Sequence, residues 1–279
     1  MRTLNAQSLL LRADNLGIFP AAALRVRDVA SSSRTSAVDL EQAIGSDQAL
    51  ASRMLKLANS PFYGARRAAT LREAIVRIGF VATRDLATAL ALSTMCDLPA
   101  VRHQKMWGHA LRTGFTARRI ATLVPGSNPE TSFVAGLLHE MGSLLMLACD
   151  TEAYDQILSQ GAHSPRLMIL ELERYKCDHA ELAAECATRW NFDPSVIQAI
   201  RYHHRPDAIS GNEAWIVSLA DQIAVLHQAG GSPAAIASSL GQSDGARRLN
   251  LSTRVETLVQ DVDRELKNFE KWSEGTMVL

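Results

Sequence analysis

The residues best suited to chemistry in this sequence are histidines and carboxylates in the middle of the chain. His139 and Glu140 are adjacent and directly follow the apolar pair Leu137 and Leu138. We predict that they lie near a helix C-terminus, where Gly142 ends the turn. An imidazole nitrogen beside a carboxylate oxygen suits Zn, Fe or Mn and leaves coordination positions open for water. A His-Glu pair is also common at protein surfaces. This pair therefore predicts a metal site only if further ligands lie close to it in space.

Further candidate ligands lie on both sides of this pair, at irregular intervals. They are His109, His179, His203, His204 and Asp221. Histidines on separate helices can converge in the core of a helical bundle. Asp221 lies among apolar residues, where a buried carboxylate needs a cation or a hydrogen-bond donor. A capped or solvent-facing Asp221 is an equally good interpretation, and the sequence assigns no catalytic residue.

The elements that must position these residues are predicted to be helices. Aromatic residues make up only 5% of the chain, and no run alternates as a strand would. Capping-box spacing marks three helix starts, at Thr70/Glu73, Asp178/Glu181 and Thr253/Glu256. Asn59-Ser60-Pro61 marks a helix end, because the residue before proline disfavours the helical conformation. Three prolines follow polar residues and suit first helical positions, namely Pro129, Pro165 and Pro194. The sequence therefore predicts an all-α, multi-helix bundle.

Two interruptions divide the chain into three predicted segments. Asp97-Leu98-Pro99 separates an N-terminal helical half, 1–98, from a His-rich helical half, 99–229. Gly230 to Pro233 opens a third segment, 230–279, with a predicted loop from Gly241 to Gly245 and an amphipathic last helix. The apolar stripe of that helix is Val255, Leu258, Val259, Val262, Leu266 and Phe269. We expect it to pack on its own domain, and packing on a partner is the alternative.

Composition excludes several classes of protein. The 29 Lys and Arg residues balance 29 Asp and Glu residues, so no overall charge attracts nucleic acid or a membrane surface. With no signal-peptide core and no apolar run that we judge long enough to span a membrane, we expect a cytoplasmic protein. Four cysteines without a C-x-x-C pair are predicted to be small buried side chains, not disulfide partners: Cys96, Cys149, Cys177 and Cys186.

The candidate ligands and their flanking residues resemble a known family. Their order is similar to that of the HD superfamily of metal-dependent phosphohydrolases, whose pattern is His, His-Asp, further His and a final Asp. The stretches 55–64, with its Ala-Asn-Ser-x-x-Tyr-Gly pattern, 135–142 and 200–204 resemble the HDOD family. The resemblance covers about residues 10–228. It implies an all-α fold, bacterial origin and a regulatory role without demonstrated catalysis.

The chain departs from the HD pattern at Glu140, where an HD enzyme has Asp. The longer side chain places its carboxylate one methylene further out, so a tight metal site would have to rearrange. Two functions therefore compete. One is a non-catalytic signalling module that binds a signalling protein partner. The other is a metal-dependent phosphohydrolase or phosphodiesterase that acts on a nucleotide or cyclic dinucleotide, with the seven candidates as ligands or close neighbours of a divalent metal.

Overall fold

The computed structural model describes residues 4–30, 35–60, 63, 67–94, 100–161, 165–207 and 211–274, and it describes side chains for all of these except 30, 100–104, 161, 165 and 268–274. Within these ranges the regular secondary structure is helical throughout, so the predicted all-α class is confirmed. In chain order the helices are α1 (Ala6–Asn15), α2 (Ala21–Ala30), α3 (Ala37–Gly45), α4 (Gln48–Ala58), α5 (Leu71–Ile78), α6 (Phe80–Leu92), α7 (Ala100–Ala121), α8 (Pro129–Leu138), α9 (Met141–Cys149), α10 (Thr151–Gly161), α11 (Pro165–Tyr175), α12 (His179–Arg189), α13 (Pro194–Tyr202), α14 (Gly211–Gln228), α15 (Pro233–Leu240), α16 (Asp244–Arg248) and α17 (Val255–Glu274).

Predicted helix starts agree with the structure where a side chain caps the helix. The Asp178 carboxylate accepts a hydrogen bond from the Glu181 backbone N–H at 2.8 Å, and α12 begins at the next residue. Thr70 caps α5 in the same way. Pro129 and Pro194 each occupy a first helical position behind a capping Asn or Asp. A free N–H at that position has no partner within the helix, so proline fits there without losing a hydrogen bond.

The predicted loop from Gly241 to Gly245 is wrong at its end. α16 begins at Asp244, because the Ser243 hydroxyl accepts a hydrogen bond from the Ala246 backbone N–H at 3.2 Å and caps a short helix. Only 241–243 lie between α15 and α16. A Ser-Asp pair is a helix-start pattern as much as a turn pattern, and the nearby glycines concealed it.

The chain forms two compact units. The first combines Met1–Phe19 with Met95–Glu256, and the second combines Pro20–Thr94 with Thr257–Leu279. In the first unit α7 packs on α8 and α14, α13 packs on α8, α12 and α14, and α9 packs on α1 and α12. In the second unit α2 packs on α3 and α6, and α4 packs on α5 and α6. The predicted boundary at 98/99 lies outside the described residues, and the three-segment division stays a prediction.

The amphipathic helix α17 buries its apolar stripe within this chain. The described members of that stripe are each at most 5% exposed: Val255, Leu258, Val259, Val262 and Leu266. The side chain of Phe269 lies outside the described residues. The stripe is therefore covered by the protein itself, as expected.

One stretch, Pro129–Cys149, is long and apolar enough to span a membrane by length and composition, although the sequence analysis found no such run. It is mostly buried inside the protein, and it is divided at His139 and Glu140 into α8 and α9. Such burial is typical of the core helices of a soluble protein. Cys149, Cys177 and Cys186 are buried free thiols, as predicted, and Cys96 lies outside the described residues.

Asn59 ends α4, as the sequence predicts, and it also holds a distant backbone segment. Its Nδ2 donates to the Ala68 carbonyl at 2.8 Å, and the Ala68 N–H donates to its Oδ1 at 2.6 Å. Arg77 donates to the Ala58 carbonyl at 2.9 Å beside it. Residues 61, 62 and 64 of the Ala-Asn-Ser-x-x-Tyr-Gly pattern lie outside the described residues.

Asn59→Ala is expected to lower the free energy of unfolding by about 2 kcal/mol, because two backbone groups of the buried Ala68 lose their partners and each such loss costs about 1–3 kcal/mol before any water replaces it. Urea unfolding followed by circular dichroism measures this. Gln48→Ala, an exposed change on the same helix, is the control and should leave stability unchanged. Equal stabilities for the two variants would contradict this role of Asn59.

Candidate metal centre

The candidate site begins at a close crossing of α7 and α8. A Cβ atom added to Gly136 would lie 2.8 Å from the Cα atom of Gly114, so the two helices meet backbone to backbone. His109 lies on α7 before this crossing, and His139 follows α8 just after it. Their Nε2 atoms are consequently only 3.2 Å apart.

His139 and Glu140 lie at the junction between α8 and α9. His139 is the C-terminal cap of α8, which agrees with the predicted position near a helix end. Gly142 does not end a turn there, as the sequence analysis proposed, because it lies inside α9. A Cβ atom on Gly142 would lie 1.9 Å from the carbonyl oxygen of His179. The glycine is needed because the start of α12 packs directly on its Cα atom.

Three of the predicted ligands form what we call group A: His109, His139 and Asp221. The Asp221 Oδ1 atom lies 3.0 Å from His109 Nε2 and 3.6 Å from His139 Nε2. Its side chain is only 15% exposed and contacts both histidines, so Asp221 is a mostly buried member of the cluster and not a helix cap. Burial alone would raise the pKa of Asp221, but the hydrogen bonds from the two histidines hold it well below its usual value.

The other four predicted ligands form group B: Glu140, His179, His203 and His204. His179 Nε2 lies 2.8 Å from His204 Nε2 and 3.7 Å from Glu140 Oε1. The His203 and His204 rings have centroids 3.9 Å apart. The ligand atoms within each group all lie within 4.8 Å of one another.

The two groups adjoin each other through their histidine rings. The His139 ring meets the His203 ring edge to face, with centroids 5.1 Å apart. The side chains of His109, His139, His179 and His203 are all buried, whereas Glu140 and Asp221 reach solvent in part. All seven predicted residues are thus brought together, although the adjacent His139 and Glu140 fall into different groups.

Each of the four buried histidines is held from behind by an oxygen atom. Two of them contact backbone carbonyls through Nδ1: His139 contacts that of Gly136 at 2.7 Å, and His203 contacts that of Ile200 at 2.6 Å. The other two contact side chains: His109 Nδ1 lies 3.2 Å from Gln228 Oε1, and His179 Nδ1 lies 2.8 Å from Glu171 Oε2. Carbonyl and carboxylate oxygens only accept hydrogen bonds, so each Nδ1 must carry the proton. Without metal, His109 Nε2 carries a second proton, which it donates to Asp221 Oδ1 at 3.0 Å. In the neutral ring Nε2 instead presents a lone pair to the cluster. This is the arrangement of histidines that ligate metals.

The donor set fits a divalent transition metal. The Nε2 atom of His203 is buried among the other histidines, and within the described residues no hydrogen-bond partner reaches it. Metal–nitrogen bonds are about 2.0–2.1 Å long, which places two ligands about 3.0–3.4 Å apart for angles between 90° and the tetrahedral value. The 3.0 and 3.2 Å separations in group A agree with this spacing, and the third, 3.6 Å, exceeds it slightly. Imidazole with carboxylate suits Zn, Fe or Mn.

The electrostatics of group B are dominated by burial and by the close approach of unlike charges. Burial lowers the pKa of His179, but Glu140 and Glu171 outweigh it and raise that pKa to about 10. Burial would raise the pKa of Glu140, yet the neighbouring His179 and His139 hold it far below its usual value. Burial, together with neighbouring histidines, lowers the pKa of His203 and of His204. Without metal, group B therefore holds a charged His179 beside two neutral histidines.

The raised pKa of His179 predicts a pH dependence for the chelator-treated protein. Its value of about 10 lies above the ordinary 6.5, so protonated His179 stabilises the fold fully below pH 6.5 and this contribution is lost as the pH rises through about 10. We expect the free energy of unfolding to fall over that interval, and to fall less in His179→Gln. Urea unfolding across the interval measures both, with His227→Gln as the control. Parallel profiles for all three proteins would contradict the assignment.

Sequence reasoning missed the residues that hold the ligands in place. Glu171 and Gln228 contact His179 and His109, and the Ser143 hydroxyl donates to Glu140 Oε2 at 2.5 Å. Glu171 did leave a trace, because it is an acidic residue between the apolar residues of α11, the same pattern that drew attention to Asp221.

The chain is similar to known proteins of one helical family. The family model of the HDOD domain matches residues 16–206. An uncharacterized protein of Treponema pallidum (strain Nichols) is 27% identical in an alignment of 206 residues that covers 71% of this chain and 39% of that protein. The chain therefore spans about two fifths of the length of that relative.

Two solved structures share the fold. A Shewanella amazonensis protein, provisionally named a phosphohydrolase, superposes with a TM-score of 0.72 at 22% identity, covering 95% of this chain and 97% of its own. An HDOD domain protein of unknown function from Geobacter sulfurreducens gives a TM-score of 0.69 at 21% identity, covering 99% of this chain and 100% of its own. At these identities the likeness concerns the fold. Because the family model spans well over half of the chain and the helices match, this protein belongs to the HDOD domain family.

Proposed function

We propose that this protein is a cytoplasmic signalling module of the HDOD type that binds divalent metal at groups A and B and acts by binding a protein partner, without hydrolysing a substrate. The observation that carries the metal assignment is the convergence of buried Nε2 atoms, among which His203 Nε2 has no other partner within the described chain. A buried polar atom without a partner is unfavourable, and a metal ion would satisfy it.

Two features favour a regulatory role over catalysis. The longer Glu140 replaces the Asp of the HD pattern, and its Oε2 is already engaged by Ser143. The second feature is the source of positive charge near the carboxylates, because the strongest charges that act on Glu140 and Asp221 come from histidines. Arg205, the cation that directly follows His204, donates to Asp178 Oδ2 at 3.3 Å instead. Enzymes that transfer phosphoryl groups use positively charged side chains as well as metal to stabilise the developing charge.

Metal occupancy can be transmitted because the ligands belong to different helices. They lie on α7, at the α8–α9 junction, on α12, at the end of α13 and on α14. One ion per group would join these helices, and its loss would leave a charged His179 and an unpaired His203 in the core. A ligand shifts a conformational equilibrium by its difference in affinity for the two states. Metal binding would therefore favour one arrangement of the helix surface that a partner contacts.

A metal-dependent phosphohydrolase is the second candidate, and the partial exposure of the two carboxylates favours it. The Glu140 side chain is 22% exposed and that of Asp221 is 15% exposed, so one side of the cluster reaches solvent. Metal held by these residues would lower the pKa of a bound water and polarise a phosphoryl group. Glu140 and Asp221 would orient that water from the exposed side, while the four buried histidines would exclude bulk solvent behind it.

Metal content measured by mass spectrometry tests the proposal, on protein purified without chelator or affinity-column metal. We expect about one Zn, Fe or Mn ion per group, with the ion of group A lost in His139→Ala and both ions retained in His227→Ala, a histidine outside both groups. A folded wild-type protein without metal would overturn the metal assignment.

Catalysis is tested on the metal-loaded protein with a panel of phosphomonoesters, nucleotides and cyclic dinucleotides. We expect no hydrolysis above that of His139→Ala. Turnover by the wild type that disappears in His139→Ala would favour the phosphohydrolase over the signalling module as the function of this protein.

Hydrogen exchange of metal-loaded and chelator-treated protein then tests the regulatory role. We expect protection to change on the helices that bear the ligands, and identical exchange would contradict signalling through metal.

A further inference from the structure

A fully buried acid lies behind His179. Glu171, on α11, is 0% exposed. Its Oε2 accepts two hydrogen bonds from His179, one from Nδ1 at 2.8 Å and one from the backbone N–H at 2.9 Å. Its Oε1 accepts a hydrogen bond from the Tyr154 hydroxyl at 2.6 Å. Burying a carboxylate is unfavourable by several kcal/mol unless it is paired and hydrogen-bonded, so this acid is retained in the core only through these contacts.

Tyr154 fixes the orientation of this carboxylate. The tyrosine is also fully buried, and its ring packs 6.2 Å from the ring of Tyr175, centroid to centroid. With Oε1 held by the hydroxyl, the Glu171 carboxylate cannot rotate, and Oε2 stays in the plane where it meets His179 Nδ1. The imidazole is thereby held with its proton on Nδ1 and with Nε2 directed at His204 and Glu140.

We propose that Glu171 is a positioning residue of the metal centre, with Tyr154 as its support. The carboxylate fixes the tautomer and the ring orientation of His179 and increases the electron density on Nε2, so that group B binds metal more tightly. This inference depends on the proposed function, because it takes His179 to be a metal ligand. Carboxylates and carbonyls behind metal-bound histidines contribute about 10–100-fold to metal affinity.

Glu171 also accepts the first backbone N–H of α12, so a purely structural role must be separated from positioning. Both bonds to His179 end on the same atom, Oε2. The single carbonyl oxygen of glutamine can therefore reproduce both bonds, while its NH₂ group faces the Tyr154 hydroxyl, which can accept. Glu171→Gln thus removes the charge and retains the shape and the contacts to His179.

Zinc titration of the full chain against a competing chelator tests the inference. We expect Glu171→Gln to weaken zinc binding at group B by about 10–100-fold, with circular dichroism and group A binding unchanged. Glu173→Gln, an exposed change on the same helix, is the control and should bind zinc like the wild type. We expect a smaller loss in Tyr154→Phe and none in Tyr175→Phe, whose hydroxyl contacts Asp150 instead. Wild-type affinity in Glu171→Gln would overturn the inference.

A metal-independent measurement separates failure of this inference from failure of the proposed function. In the chelator-treated protein, proton NMR correlated with the imidazole nitrogens should show the Nδ1 proton of His179. We expect this proton to exchange slowly with solvent and to be strongly deshielded, and its resonance should move upfield in Glu171→Gln. If the wild type binds no zinc, the proposed function fails and this spectrum alone decides the positioning of His179. An Nδ1 proton that Glu171→Gln leaves unchanged would overturn it. Should Glu171→Gln not fold, Tyr154→Phe provides both measurements.

Discussion

Asp221→Asn should weaken metal binding at group A by at least about a hundredfold, since the loss of a partner that only supports a ligand already costs about 10–100-fold. Asp221 contributes the carboxylate of that group, and its Oδ1 lies 3.0 Å from His109 Nε2 and 3.6 Å from His139 Nε2. Asparagine has nearly the same shape but no charge, and its carbonyl oxygen is a weaker ligand for Zn, Fe or Mn.

Competitive titration and metal content per protein measure this loss. Glu213→Gln, near the start of the same helix and outside both groups, is the matched control and should retain all of its metal. Because the ligands of group B are unchanged, about half of the metal should remain in Asp221→Asn. Full metal content with wild-type affinity would show that Asp221 is not a metal ligand. Loss from both groups would mean that they bind a single ion together.

Gly142→Ala should lower the free energy of unfolding by about 3 kcal/mol or more, at the upper end of what overpacking in a core costs. The added Cβ atom would lie 1.9 Å from the carbonyl oxygen of His179, and a backbone atom in a buried helix cannot move aside as a side chain can. The change should also weaken metal binding, because α12 would be displaced together with His179 and its Nε2 atom.

Thermal and urea unfolding measure this effect. Gly108→Ala is the control, because a Cβ atom at Gly108 meets nothing within 4 Å among the described residues and Gly108 lies inside α7. It should leave stability unchanged or raise it by about 0.5–1 kcal/mol, since alanine favours a helix over glycine. If Gly142→Ala were as stable as Gly108→Ala, α9 and α12 could not pack as closely as the structure shows.

Much of the fold could be predicted from local sequence because helix ends are local chemistry. Asp178 caps α12 by accepting a hydrogen bond from the backbone N–H of Glu181, only three residues further on. Asn59 ends α4 two residues before a proline. Where local patterns compete, the prediction failed. The glycines of 241–245 suggested a loop, yet Ser243 starts a helix there.

The identity of the candidate ligands was determined by the sequence, because only histidines and carboxylates have suitable donor atoms and their order along the chain resembles one family. Their division into two groups was decided by tertiary structure, since the break between α8 and α9 sends the adjacent His139 and Glu140 to different partners. The roles of Glu171 and Gly142 were likewise decided only there, because both depend on where α12 packs. Residue type and spacing act within one helix, whereas a metal centre built from several helices depends on how closely their backbones cross.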